Sequence, residues 1–134
     1  MRTFLLALFA AAQAGAAQSV RLPLDSLPIV ARIAVPSRPD WLAMGFGSVW
    51  VVDYRPPSVA RIDPATNRVV SNIPLPGDAC LGLSSTRDAV WVPDCTHHVV
   101  VQIDPVTNRV ARTIAIDFRV DDEGAFVAAG EGVA

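Results

Sequence analysis

The chain has 134 residues and no lysine; its eleven basic residues are all arginine, set against thirteen acids. A net charge of −2 excludes the basic footprint of a nucleic-acid binder and the cationic patch of a membrane-surface protein. Charged residues make up only 18% of the chain and apolar ones 51%, which excludes a disordered chain and favours a packed core. After the first dozen residues no apolar run approaches the ~20 positions that a membrane-spanning helix needs. Histidine and cysteine occur twice each. No Ser-His-Asp arrangement, glycine-rich phosphate loop or metal-ligand spacing appears. No catalytic, cofactor or metal residue is therefore assigned.

What is present begins with a targeting segment. Met1-Arg2-Thr3 is a short positive start, Phe4 to Ala12 is apolar, and small residues follow as Ala12-Gln13-Ala14 and Gly15-Ala16-Ala17. This is the pattern of a secretory signal over residues 1–17, with cleavage expected after Ala14 or Ala17. The mature protein is expected in the periplasm or outside the cell, with no integral membrane segment.

The rest of the chain repeats itself. Val49-Trp50-Val51-Val52-Asp53 returns as Val90-Trp91-Val92-Pro93-Asp94, and Ala60-Arg61-Ile62-Asp63-Pro64-Ala65-Thr66-Asn67-Arg68 as Val101-Gln102-Ile103-Asp104-Pro105-Val106-Thr107-Asn108-Arg109. Trp50 to Trp91, Asp53 to Asp94, Ile62 to Ile103 and Asn67 to Asn108 each differ by 41. A fixed period of that size over short alternating strands indicates a β-propeller of four-stranded antiparallel blades. The expected class is all-β, with about two and a half blades. A lead over residues 18–28 is followed by units at 29–68, 69–109 and an incomplete 110–134.

Strands are expected at Ile29 to Val35, Trp41 to Phe46, Ser48 to Asp53, Ser58 to Asp63 and Val69 to Leu75, with a further hairpin from Leu81 to Pro93 turning near Thr86 to Asp88. Asp-Pro-x-Thr-Asn-Arg reads as a turn. Asp caps through its side chain, Pro fixes φ, and Asn tolerates the left-handed region, so Asp63 and Asp104 are structural rather than ligands. Trp50 and Trp91, each between valines, are expected to fill the space between packed sheets. In the third unit Gly130-x-Gly132 matches Gly45-x-Gly47, which places a tryptophan next in register. A piece of a longer protein is the expectation; self-association would otherwise have to close the ring.

Cys80 and Cys95 bracket the hairpin of the second unit, where antiparallel partners come within bridging range in an oxidising compartment. A disulfide is expected there; two buried thiols or half of a metal site are the competing arrangements. His97 and His98 are adjacent in an extended stretch and point to opposite sides, which suits a solvated loop better than a shared metal. Asp121, Asp122 and Glu123 form the densest acidic cluster, and strand-start loops of propellers face the central channel. They are the candidate channel-facing patch, with a solvated turn as the plainer alternative.

The Gly-x-x-x-Val-Trp-Val run at Gly45 and the Ala-Arg-Ile-Asp-Pro-Ala-Thr-Asn-Arg that follows resemble YVTN-type β-propeller repeats. They are also similar to bacterial propellers of the virginiamycin B lyase (streptogramin lyase) type. The resemblance covers residues 29–134. Cys80-Leu81-Gly82-Leu83, Trp91-Val92-Pro93-Asp94-Cys95 and Asp122-Glu123-Gly124 resemble an exported bacterial subset. The repeat type implies a binding or scaffolding module for a protein or small-molecule ligand. The lyase type implies a metal-assisted elimination, magnesium being needed only under that alternative. Its histidine and acidic residues belong to later blades, and no position of this sequence carries them.

Overall fold

A computed structural model of the chain describes residues 21–36, 38–80, 82–116, 128 and 130. The signal segment and the acidic cluster Asp121, Asp122 and Glu123 lie outside the described residues. The chain forms two compact units, Met1–Val30 and Ala31–Ala134. The described part of the first is a lead with one 3-10 turn at Leu24–Ser26, closed by the Ser26 hydroxyl donating to the Pro23 carbonyl at 2.6 Å. Leu22, Leu24, Leu27 and Ile29 are exposed. Among the described residues no helix is long and apolar enough to cross a membrane.

The second unit is all-β. Strands β1 (Pro39–Gly45), β2 (Ser48–Tyr54), β3 (Pro57–Asp63) and β4 (Arg68–Pro74) form one antiparallel sheet in chain order. Strands β5 (Ser84–Ser85), β6 (Val90–Asp94), β7 (Val99–Asp104) and β8 (Arg109–Ala115) form a second with the same topology. The sequence period sets the spacing of units but not where a unit begins. Hydrogen bonding sets that phase: Val59 pairs with Ile73 and Val100 with Ile114. The stretches opening the units at 69 and 110 are thus the fourth strands of the sheets before them.

Period-two patterning explains which faces meet. Trp50, Val52, Val59 and Ile73 of the first sheet pack with Val90, Val92, Val101 and Ile103 of the second in one buried cluster. The opposite face of the first sheet carries Val51, Ala60 and Ile62, covered in part by Ile33 and Val35. Fully burying each such aliphatic side chain contributes about 1.5–3 kcal/mol, so the inter-sheet layer is the dominant stabilising element.

The turns follow the expected chemistry. The β1–β2 hairpin turns on Phe46 and Gly47, with φ of 55° and 63°; two successive positive φ values describe the tight turn that matches strand twist, and glycine relieves one of them. Asn67 and Asn108 occupy the left-handed region at 55° and 54°. In both Asp-Pro turns the carboxylate accepts from the backbone two residues on, Ala65 at 2.8 Å and Val106 at 2.7 Å. It also accepts the Thr66 or Thr107 hydroxyl, each at 2.9 Å.

Three expectations change. Ala31–Val35 is extended but pairs with no strand among the described residues, although its burial alternates as a strand's does. The strand expected at Leu81 to Ser84 shrinks to Ser84–Ser85 and a single bridge between Ala79 and Asp94. Gly82 lies at φ 86°, which interrupts pairing; Leu81 is outside the described residues. Trp50 is fully buried, but Trp91 is only half-buried. Trp91 alternates with Val90 and Val92 and so stands on the face turned away from the first sheet.

Candidate functional site

The loops entering β1, linking β2 to β3, linking β6 to β7 and joining the two sheets gather at one end of the strands. The first three are each held from beneath by a buried aspartate. Asp53, next to last in β2, is inaccessible to solvent and accepts the backbone N–H of Arg38 at 3.1 Å and of Arg55 at 2.8 Å. Asp94 ends β6 and accepts the His97 N–H at 3.0 Å, while its other oxygen lies 2.9 Å from His97 Nδ1. These backbone donors would otherwise remain unsatisfied next to a buried carboxylate.

The disulfide expected from the sequence is present. Cys80 and Cys95 are bonded with Cα atoms 5.4 Å apart. Two backbone hydrogen bonds flank the bridge beside them, with Cys80 N–H donating to the Pro93 carbonyl at 2.9 Å and Cys95 N–H to the Asp78 carbonyl at 3.0 Å. Asp78 N–H in turn donates to Thr96 Oγ1 at 3.0 Å. Gly77 runs directly beneath: a Cβ there would sit 2.5 Å from His97 Nδ1 and 2.7 Å from Asp94 Oδ1. Only glycine fits without separating the pair.

Tyr54, at the end of β2, has its phenol pKa pushed up to about 12, first by burial and then by its hydrogen bond to the Asp40 carboxylate, whose charge adds to the effect. Asp63 and Asp104 carry the opposite shift. Their carboxyls are held below the usual range first by the backbone donors Ala65 and Val106, then by the threonine hydroxyls.

His97 and His98 sit where the sequence placed them, in the loop between two strands, and both are exposed. They do not converge, since His98 turns the chain at φ 54° while His97 folds back onto Asp94. The bracing role of Asp53 and Asp94 was missed by sequence reasoning, although their shared 41-residue offset was its signal. Arg61 was missed as well. Its guanidinium lies 4.9 Å from the Trp50 ring centroid, and its Nε donates to Ser48 Oγ at 2.9 Å. It then crosses to the second sheet, donating to the Pro105 carbonyl at 2.6 Å and Asn108 Oδ1 at 2.8 Å. Among the described residues no group of three or more His, Cys, Asp or Glu is placed to hold a metal ion.

No family model matches the chain, and no curated protein matches it. Solved structures do. Kuenenia stuttgartiensis hydrazine synthase superposes with a TM-score of 0.63 at 17% identity, over 72% of this chain and 31% of that one. Apo AztD from Citrobacter koseri gives 0.57 at 10% identity, over 65% and 27%. Both neighbours have β-propeller-type folds, and this chain spans less than a third of either. The class that fold and rim define is thus a β-propeller module, two of whose blades are described here.

Proposed function

We propose that the chain is a stretch of an exported β-propeller of the YVTN repeat type, working as a binding or scaffolding module. Its disulfide-end rim holds the ligand, a protein or a small molecule. The observation that supports this most is the use made of the carboxylates. Asp53, Asp63, Asp94 and Asp104 each accept loop N–H groups, so the acids at the strand ends hold loops in position. Loops held this way present side chains from a rigid scaffold, the usual setting of a binding surface. The disulfide is compatible with an oxidising compartment outside the cytoplasm.

A photo-crosslinking residue at position 97 in the full chain tests the rim. A discrete adduct at position 97, absent when the same group replaces Thr66 in the turn at the far end, is the expected result. Equal labelling at both positions, or none at either, overturns the proposal. Export is read separately by mass: the recovered chain should begin at Gly15 or Gln18 and carry an oxidised Cys80–Cys95 pair. Magnesium-dependent opening of a cyclic lactone peptide by the purified chain would instead establish the lyase-type alternative.

A further inference from the structure

The loop between β6 and β7 does not copy its counterpart in the first sheet. His97 stands where the first sheet has Pro56, and Asp78 and Thr96 stand where it has Arg38 and Arg55. The backbone around them is the same: Cys95 N–H donates to the Asp78 carbonyl as Tyr54 N–H does to that of Arg38. The use of the buried aspartate differs. In the first sheet Arg38 N–H lies 3.2 and 3.1 Å from the two oxygens of Asp53, which also takes Arg55 N–H. In the second, Asp78 N–H goes to Thr96 Oγ1 instead, and the oxygen of Asp94 so released faces His97 Nδ1 at 2.9 Å.

That exchange builds a dyad where the first sheet has only a loop brace. The Asp94 side chain is fully buried, and its other oxygen accepts the His97 backbone N–H. Gly77 packs so closely against the ring that a Cβ would sit 2.5 Å from Nδ1 and 2.7 Å from Cε1. Thr96 and Gly77 thus both serve to bring one imidazole onto one carboxylate. Beside a carboxylate Nδ1 keeps its hydrogen, so the neutral ring carries its lone pair on Nε2. The side chain is 52% exposed, which offers that lone pair at the rim.

We propose that His97 Nε2 accepts a hydrogen bond from an ammonium group of the ligand, with Asp94 as the positioning residue that fixes the tautomer. The inference rests on the rim being the binding surface and names the chemistry of what binds there. The sign of the charge follows from the same exchanges. Where the first sheet brings Arg38 and Arg55 to the rim, the second brings a carboxylate, Asp78, and a neutral hydroxyl, Thr96, with the Asp94 carboxylate beneath the ring. A cation with N–H donors satisfies both the lone pair and the surrounding charge, and an anion satisfies neither. The ammonium belongs to a lysine side chain or to a small free amine, which share this group and differ in what carries it.

Imidazole nitrogen NMR of the full chain tests this at pH about 8.5, above the ordinary imidazole value of about 6.5 and below the lysine value of about 10.4. The free protein should show His97 with its hydrogen on Nδ1 and a bare Nε2. N-acetyl-lysinamide should shift Nε2, and its trimethylated form, equal in charge but without N–H, should bind about tenfold more weakly or worse. His97→Phe should weaken binding by a similar factor. Asp94→Asn keeps an acceptor for the His97 N–H but donates to Nδ1, so the ring hydrogen moves to Nε2 and the ligand shift is lost. Gly77→Ala, which parts the ring from an intact carboxylate, should lose it too. Butylammonium carries the same group without a peptide: a shift from either probe supports the proposal, and the tighter one names the source. No Nε2 shift with either probe, an equal shift from the trimethylated form, tighter binding of acetate, or a ring hydrogen on Nε2 in the free protein overturns it. The crosslinking residue at position 97 replaces the imidazole. An adduct there, with no Nε2 shift in the unmodified chain, therefore overturns the ammonium and leaves the rim reading standing.

Discussion

The two sheets are written in one repeat and locked by different chemistry at the same places. Tyr54 and Asp40 of the first sheet stand where Cys95 and Cys80 stand in the second: a hydrogen-bonded phenol in one, a covalent bond in the other. The backbone beneath is the same, with Tyr54 N–H donating to the Arg38 carbonyl at 3.3 Å and Cys95 N–H to that of Asp78. At the opposite end Arg61 stacks on Trp50 and grips the other sheet, while its counterpart Gln102 accepts from Arg112 within its own sheet. Ser48, which steadies Arg61, becomes Ala89. The backbone frame is thus a property of the repeat, and the locks are local solutions to what each sheet touches. The second sheet has only two residues in β5, so it has fewer ladder bonds to hold its first strand, and the disulfide stands in for them.

The sharpest way to break this equivalence is to truncate the paired tryptophans. Trp50→Ala removes a fully buried indole and should cost about 3–5 kcal/mol in denaturant unfolding, whereas Trp91→Ala, on the half-buried face, should cost under about 2 kcal/mol. Equal losses would mean that both faces are covered alike. Next in size is the staple. Replacing Cys80 and Cys95 together by alanine opens a loop of sequence separation 15 and should lower stability by about 3 kcal/mol, with exchange rising first in the second sheet.

Arg61→Gln makes the first sheet resemble the second and should cost about 1.5–3 kcal/mol, the range for hydrogen bonds to a charged group. A double-mutant cycle with Asn108→Ala should show coupling above about 0.5 kcal/mol if the guanidinium links the sheets. Smaller effects follow pH. Tyr54 is the only tyrosine, so its ultraviolet titration should have a midpoint near 12. Its folded pKa lies above the unfolded value of 10.0, so this contribution is complete below pH 10 and is lost as pH rises toward 12. Asp40→Asn should bring the midpoint down. Asp63 and Asp104 behave in the opposite sense: their contribution is present above the ordinary carboxylate range and is lost as pH falls through the lowered values. Their carboxyl NMR titrations should both fall below the usual carboxylate range, with the nearby Arg61 charge adding to the effect at Asp63 alone.

The architecture and the turn chemistry were legible because they are local and periodic. Each Asp-Pro turn closes within a few residues, and each strand announces its buried face by alternation. The cysteine pair was legible for the same reason, since it brackets a single hairpin. Arg61 was not, because its partners lie 44 and 47 residues away and nothing near Arg61 signals them. The kinship of Asp40 with Cys80, and of Arg38 with Asp78, was hidden by a change of offset from 41 to 40. The second sheet carries one extra residue in the stretch around Gly82, before β5, and an alignment held rigidly at 41 misses everything on its N-terminal side. The rim was half visible: Asp53 and Asp94 were landmarks of the repeat, but that they brace the loops emerges only from the folded backbone.

The Arg61 contact also sets an order of events during synthesis. When β3 emerges from the ribosome, Trp50, Val52 and Val59 form an apolar face with nothing yet to cover it, and the guanidinium that will span the gap has only acceptors of its own sheet until Pro105 and Asn108 have been added. The first sheet therefore spends the time needed to make some forty further residues as a sticky half-layer. Its topology can form early, but its last hydrogen bonds wait for the second sheet's final hairpin. A nascent chain stalled between β4 and β7 would be the aggregation-prone species, and release from that state would come in one cooperative step rather than sheet by sheet.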